Sequence, residues 1–365
     1  MKVPMLDLDA QYEPIKDEIF EAFREVFATK RFIGGPKIEE LEEQIANYCD
    51  CKYAIGVSSG TDSLLVSLMA LNIGVGDEVI TTPFTFFATA GSIYRVGAKP
   101  VFVDIEPNTY NINADMIEDA ITEKTKAIMP VHLFGQMCDM DKINKIAEKH
   151  DLHVIEDAAQ AIGAEQNGKR AGSLGDVGCF SFFPSKNLGC AGDGGIATTN
   201  NQELAEKIRI LRNHGSKPKY HHKIIGGNFR LDAIQAAILL KKLPLLEEWH
   251  QQRQNNAEYY DTNLSEAVKT PMVKSGNRMI YNQYTLWLDN RDEVQKALNE
   301  SNIGNAIYYP IPLHLQECFS YLNYKKEDFP VAEDAAGHVL SIPVYSELNK
   351  KQQDYIISTI KNCIS

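Results

Sequence analysis

The sequence predicts an α/β fold, a mostly parallel central sheet flanked by helices, with a smaller C-terminal α+β domain. Three observations carry this. From about residue 50 to 200, short β-rich apolar runs alternate with helical stretches, the pattern of strands joined by crossover helices. Beyond about residue 262 the alternation gives way to shorter strands and helices. The 365 residues, 44% hydrophobic and 24% charged, suffice for about two domains with a large buried core. The predicted domains are 1–260, which includes an N-terminal helical segment, and 261–365.

Val57-Ser-Ser-Gly60-Thr61 leads into a helix-like run, Leu64 to Leu71. Strands are then expected at 78–82, 100–104, 127–131, 152–156, 178–182 and 195–199. The stretch 139–150 fits a helix with Met140, Ile143, Ile146 and Ala147 on one face and charges opposite. Helices are also expected at 202–213, at 230–260 beginning with Arg230-Leu-Asp232, and near 349–363. In a sheet of this kind ligands bind at the carboxyl ends of the strands.

Charge and composition exclude several classes. Lys+Arg 37 against Asp+Glu 49 gives −12 with no long basic run, which argues against nucleic acid as a partner. The N-terminus lacks the apolar segment of a signal peptide, and no apolar run reaches membrane-spanning length. Seven cysteines spread thinly through the chain do not make a disulfide framework, and Cys49-Asp-Cys51 has the wrong spacing for zinc. A reduced, cytoplasmic protein without a metal is expected.

The residues that carry chemistry cluster at predicted strand ends. Asp157 closes one apolar run, and Lys186 follows on a small-residue turn, Ser181-Phe-Phe-Pro-Ser-Lys186-Asn-Leu-Gly189. A carboxylate able to keep a pyridine nitrogen protonated and a lysine able to form a Schiff base are what pyridoxal phosphate (PLP) chemistry needs. Gly60-Thr61 at a helix start offers free amides and a hydroxyl to a phosphate, although the segment by itself reads better as a plain N-cap. Ser181, five residues before Lys186, is placed to help hold a phosphate, and Gln160, three after Asp157, to reach the ring. Of Phe84, Phe86 and Phe87, one is expected to lie on the ring and at least two to be core residues. Gly189, Gly192, Gly194 and Gly195 let backbone approach the lysine closely.

In this order, together with Gly35-Pro36, Gly192-Asp-Gly-Gly195, Gly226-Gly-Asn228-Phe-Arg230-Leu-Asp232 and Tyr309-Pro-Ile-Pro-Leu-His314, these segments resemble the DegT/DnrJ/EryC1/StrS family of PLP-dependent sugar aminotransferases, a branch of the fold-type I enzymes. The resemblance covers nearly the whole chain. It implies that Lys186 holds the cofactor and moves protons, that Asp157 pairs with the ring nitrogen, and that Gln160 meets the ring oxygen. It further implies that Phe86 stacks on the ring and that Gly60, Thr61 and Ser181 bind the phosphate. Asn228 would reach the cofactor of the neighbouring subunit, which makes the expected unit a homodimer with shared sites. PLP would cycle through pyridoxamine phosphate, taking the amino group of L-glutamate and giving it to a nucleotide-linked keto sugar.

For the sugar, the run Lys217-Pro-Lys219-Tyr220-His221-His222 gathers cations and aromatics in an acidic chain, or is a mobile surface loop. Lys219, His221, Arg230, Tyr308, Tyr309 and His314 are the candidate substrate contacts. This loop looks more like that of relatives acting at C3, on a dTDP- or UDP-linked 3-keto hexose. Two alternatives remain within the family, a sugar dehydratase and a non-catalytic regulatory relative; intact Lys186, Asp157 and Asn228 count against both. An NAD-dependent sugar enzyme lacks its glycine fingerprint here.

Overall fold

The computed structural model describes residues 1–364. It opens with helices α1 (Leu8–Tyr12), α2 (Lys16–Thr29) and α3 (Pro36–Tyr48). The Asp7 carboxylate accepts from Ala10 N–H to cap α1, and Pro36 starts α3 where no backbone donor is needed.

The alternating region follows as β1 (Tyr53–Val57), α4 (Gly60–Ala70), β2 (Glu78–Thr81), α5 (Ala88–Arg95), β3 (Lys99–Phe102), β4 (Thr125–Ile128), α6 (Met140–His150) and β5 (His153–Asp157). A short hairpin, β6 (Glu165–Gln166) and β7 (Lys169–Arg170), precedes β8 (Val177–Ser181), β9 (Gly195–Thr199) and α7 (Gln202–Leu211). The main sheet has seven strands in the order β1-β9-β8-β5-β4-β2-β3. Only β9 runs against its neighbours, so the mostly parallel sheet is as expected. Strand β1, an apolar run interrupted by Gly56, adds to the expected set. Strand β4 ends earlier than expected, yet residues 129–132 still run beside β5: Asp157 N–H donates to the Pro130 carbonyl at 2.9 Å and His132 N–H to the Asp157 carbonyl at 3.0 Å.

Successive strand residues enter different cores. Ile80, Ile128 and Val154 join one buried cluster with Leu41, Met140 and Phe180; Val79, Ala127 and Ile155 join another with Val66, Leu68 and Leu211. Helices therefore cover both faces, which is why these strands read as continuous apolar runs rather than alternating ones.

The single helix expected over 230–260 is corrected to two, α8 (Ala233–Lys242) and α9 (Leu246–Leu264), separated by a 3-10 turn at Leu243–Leu245. Pro244 lacks the N–H that would continue the first helix. Residues 230–232 are not helical; Arg230 bridges Val57 of β1, and Asp232 takes the N-cap position. The chain then adds β10 (Asn277–Arg278), β11 (Tyr284–Trp287), α10 (Arg291–Glu300), α11 (Pro330–His338), β12 (Val339–Ile342) and α12 (Lys350–Ile364). Strand β10 pairs with β6, and β11 with β12. The expected domain division at 260 falls inside α9: Leu246 and Trp249 pack into the first core, Ala257, Tyr260 and Leu264 into the C-terminal one. No helix among the described residues is long and apolar enough to cross a membrane.

Two carboxylates fix this frame around the strand ends. Asp104, just past β3, accepts from Val331 and Ala332 N–H at 2.9 Å each, capping α11 from a distant segment whose Phe102 and Ile105 share its buried cluster. Glu156, fully buried in β5, accepts from His132 Nε2 at 2.9 Å and from the N–H groups of Gly172, Leu174 and Gly175. The Cys138 N–H donates to His132 Nδ1, so Nε2 carries the proton given to Glu156. Burial works to raise the Glu156 pKa, but His132 and the loop amides outweigh it and hold it below the ordinary carboxylate value. Glu156→Ala strands four donors, those of His132 and Gly172 buried, and should destabilise the fold by about 3–5 kcal/mol. A large drop in the urea unfolding midpoint is expected; an unchanged midpoint would remove Glu156 from this role.

Candidate active site

Strand β5 ends in Asp157, buried and turned away from Glu156. Its Oδ2 accepts from Thr89 Oγ1 at 2.7 Å and its Oδ1 from Ala159 N–H at 3.3 Å. Thr89 spends its proton on Asp157, so at the 3.0 Å Thr85–Thr89 contact Thr85 is the donor. Burial pushes the Asp157 pKa up, against the pull of Thr89, Ala159 and the Lys186 charge. A buried carboxylate held this way is short of a cation.

Lys186 lies on the turn after β8. Its N–H donates to the Phe183 carbonyl, and Cys190 N–H to the Phe182 carbonyl, both at 2.8 Å. A Cβ on Gly189 would stand 2.5 Å from the Pro184 carbonyl oxygen, so only glycine lets this turn close. The turn is tied outward through Asn187, which donates to the Ile280 carbonyl and accepts from Asn282, and through Lys242 Nζ, which donates to the Gly189 carbonyl at 2.9 Å. Lys186 keeps a solvent-accessible edge, but its amine lies deep enough that burial lowers its pKa to about 8, with Asp157 opposing. Proximity to Asp157 alone would have raised it; desolvation wins.

Helix α4 begins against the end of β8. A Cβ on Gly60 would come 2.6 Å from Ser181 Cβ, and one on Gly195 2.4 Å from the Ser59 backbone. Ser59 is the N-cap, accepting from Asp62 N–H at 3.0 Å. The Gly60 and Thr61 N–H groups are left without an acceptor among the described residues, beside the half-buried Ser181 hydroxyl. The cap falls to Ser59, and the free amides of Gly60 and Thr61 are of the kind that suits an anion.

The structure brings Gln160 and Tyr309 to the same place. Gln160 Oε1 accepts from Phe134 N–H at 2.8 Å, and its Nε2 faces Tyr309 Oη at 3.2 Å. The Tyr309 ring packs against Phe84 at 6.2 Å and Phe86 at 6.3 Å between centroids. The phenylalanine expectation is corrected. Phe84 alone is fully buried, while Phe86 and Phe87 are 58% and 48% exposed, which leaves Phe86 a free face to cover a ring.

Other expected residues lie apart. Lys219 and His221 are exposed on a loop, with Lys219 Nζ 5.0 Å from the Tyr220 ring centre. Arg230 donates to Asn213 Oδ1 at 2.9 Å beside β1, and Tyr308 is half-buried next to Tyr309. Asn228 is exposed, and its side chain has no partner among the described residues. His314, expected at the substrate, is instead enclosed in the C-terminal core, bonded to Glu333 at 3.0 Å and packed on Phe329. An open groove of about 610 Å³ along α4 and α7, lined by Leu65, Met69, Ile224, Ile225 and Phe229, contains none of the site residues. Sequence reading missed Thr85, Thr89, Asn187 and Lys242.

The donor set fits PLP. Amides and hydroxyls at a helix start suit its phosphate, Asp157 its ring nitrogen, Lys186 its aldehyde and Phe86 its face. Comparison with known proteins agrees. The model of the DegT/DnrJ/EryC1/StrS aminotransferase family matches residues 13–361. A "Pleiotropic regulatory protein" of Geobacillus stearothermophilus is 53% identical over 99% of this chain and 98% of its own. A UDP-N-acetyl-3-dehydro-alpha-D-glucosamine 3-aminotransferase of Acidithiobacillus ferrooxidans is 45% identical, covering 99% and 98%. A UDP-2-acetamido-2-deoxy-3-oxo-D-glucuronate aminotransferase of Pseudomonas aeruginosa is also 45% identical, covering 99% and 100%. The crystal structure of S. venezuelae DesV superposes with a TM-score of 0.97 at 38% identity, over 99% of this chain and 98% of that one.

Thr89→Val should weaken PLP binding by about tenfold or more, because the lost bond is to a charged acceptor; an unchanged affinity in absorbance titration would show that bond to be idle. In protein freed of cofactor, labelling of Lys186 by an amine-directed reagent should rise with pH to a midpoint near 8, as the amine loses its proton. A midpoint like that of surface lysines, above about 10, would contradict its desolvation.

Proposed function

The chain belongs to the DegT/DnrJ/EryC1/StrS aminotransferase family, and we propose that it carries the amino group of L-glutamate to C3 of a UDP-linked 3-keto-2-acetamido sugar. The protein is a PLP-dependent aminotransferase, its cofactor alternating between PLP and pyridoxamine phosphate. The observation that carries the reaction class is Lys186, with its amine pKa lowered to about 8, beside the buried Asp157. The sugar is supported by the two relatives at 45% identity, both named for UDP-linked 3-keto amino sugars. A dTDP-linked 3-keto sugar is the next acceptor to try.

When bound, PLP supplies an aldehyde carbon that links to amines and a cationic ring that takes up the electrons of a broken C–H bond. Gly60, Thr61 and Ser181 anchor the phosphate at the positive end of α4. Asp157 keeps the proton on the ring nitrogen, and Thr89 keeps Asp157 ionised and aimed. Near pH 7 about a tenth of the free Lys186 amine is neutral, given a pKa of about 8. It takes the proton from the donor's Cα and returns it to C4′, and reverses these moves on the acceptor. Phe86 shields one face. Asn228, without a side-chain partner among the described residues, reaches the phosphate in the neighbouring subunit, so the active unit is a homodimer.

A second reading is favoured by one observation: the relative at 53% identity is named as a regulator. A regulator that binds no PLP has no use for a desolvated lysine beside a buried carboxylate, both of which cost stability.

The test is incubation with L-glutamate and the UDP-linked 3-keto-2-acetamido sugar, following amino-sugar nucleotide by mass. Product is expected; none with any keto-sugar nucleotide would leave the regulatory reading. Lys186→Ala should lower turnover by about 10³-fold or more. Mixing Lys186→Ala with Asn228→Ala subunits should restore about a quarter of wild-type activity, from mixed dimers with one intact site each. No recovery would mean each site is built from one chain.

A further inference from the structure

The direction of the Gln160–Tyr309 hydrogen bond follows from donor chemistry. Phe134 N–H donates to Gln160 Oε1, and turning the amide over would set N–H against NH₂. Nε2 therefore donates to Tyr309 Oη, and the phenol oxygen is the acceptor. The Tyr309 proton is unspent, since no acceptor for it exists among the described residues. Burial raises the phenol pKa, so that proton stays in place at working pH. The ring is held among Phe84, Phe86 and Tyr308, and Leu313 N–H ties the segment to the Pro83 carbonyl at 2.7 Å. A held phenol with an idle proton, close enough to feel the Asp157 charge, lacks an acceptor that a ligand would supply.

We propose that Tyr309 O–H, beside the second Nε2–H of Gln160, donates to the phenolic oxygen of bound PLP and holds it as the anion. The inference rests on the cofactor reading above. It makes a C-terminal-domain residue part of the cofactor's electronic environment, with Phe134 and Gln160 as its positioning residues. A donor at that oxygen favours the deprotonated cofactor, so the pH midpoint of the holoenzyme's absorption change is lowered by it.

Tyr309→Phe holoenzyme should therefore titrate at least about half a unit higher than wild type while retaining PLP. Gln160→Leu should move the midpoint in the same direction. Should Tyr309→Phe fold poorly, 3-fluorotyrosine at position 309 keeps the shape, donates more strongly and should lower the midpoint. A Tyr309→Phe midpoint equal to wild type, or an effect confined to KM for the keto sugar, would overturn the assignment and give the hydroxyl to substrate. A wild-type protein that takes up no PLP would defeat the cofactor reading itself.

Discussion

Successive strand residues face opposite sides of a sheet, and at the end of β5 that rule separates two carboxylates with different tasks. Glu156 turns into the protein and is fully used, by His132 and three loop amides. Asp157 turns toward the strand ends and, among the described residues, accepts from only Thr89 and Ala159. The first carboxylate fixes where the second one points. Without Glu156, the His132 ring and the 172–175 amides lose their shared acceptor, and the bonds at His132 and Asp176 are left to hold these segments to β5. The Asp157 carboxylate would then lose the precision that holding a ring proton requires.

The lysine is set by a different balance. Its turn closes only because Gly189 has no side chain, and it is tied to α8 by Lys242 and to the 280–282 segment by Asn187. Removing the amine from water costs more than Asp157 returns, and this leaves the lysine a usable base near neutrality. The C-terminal part of the chain closes the site rather than merely adjoining it. Asp104 caps α11, and Leu313 is bonded to Pro83, so Tyr309 is delivered to Gln160 from a segment 149 residues away in sequence.

Much of this is legible in the amino-acid sequence. Lys186, Asp157 and Gly60-Thr61 stand at strand ends and a helix start, where local pattern and chemistry coincide. The Thr89–Asp157 bond is not legible, because nothing local marks a threonine for a carboxylate 68 residues on. Phe84, Phe86 and Phe87 look alike in sequence, and only their packing on Tyr309 and Phe319 sorts buried from open. The break at Pro244 is readable in principle, since proline has no N–H, but the apolar period on either side masks it. His314 has the right neighbours for a substrate contact and the wrong direction, which depends on Glu333 and Phe329.

If Lys186 and Asp157 form a working PLP site, it takes up amino groups from an amino-acid donor. The most direct test is the visible absorption of the protein loaded with PLP, before and after adding L-glutamate. A long-wavelength band is expected, lost to the pyridoxamine form on adding glutamate and returning with 2-oxoglutarate. A band indifferent to glutamate and to every other amino donor would contradict it.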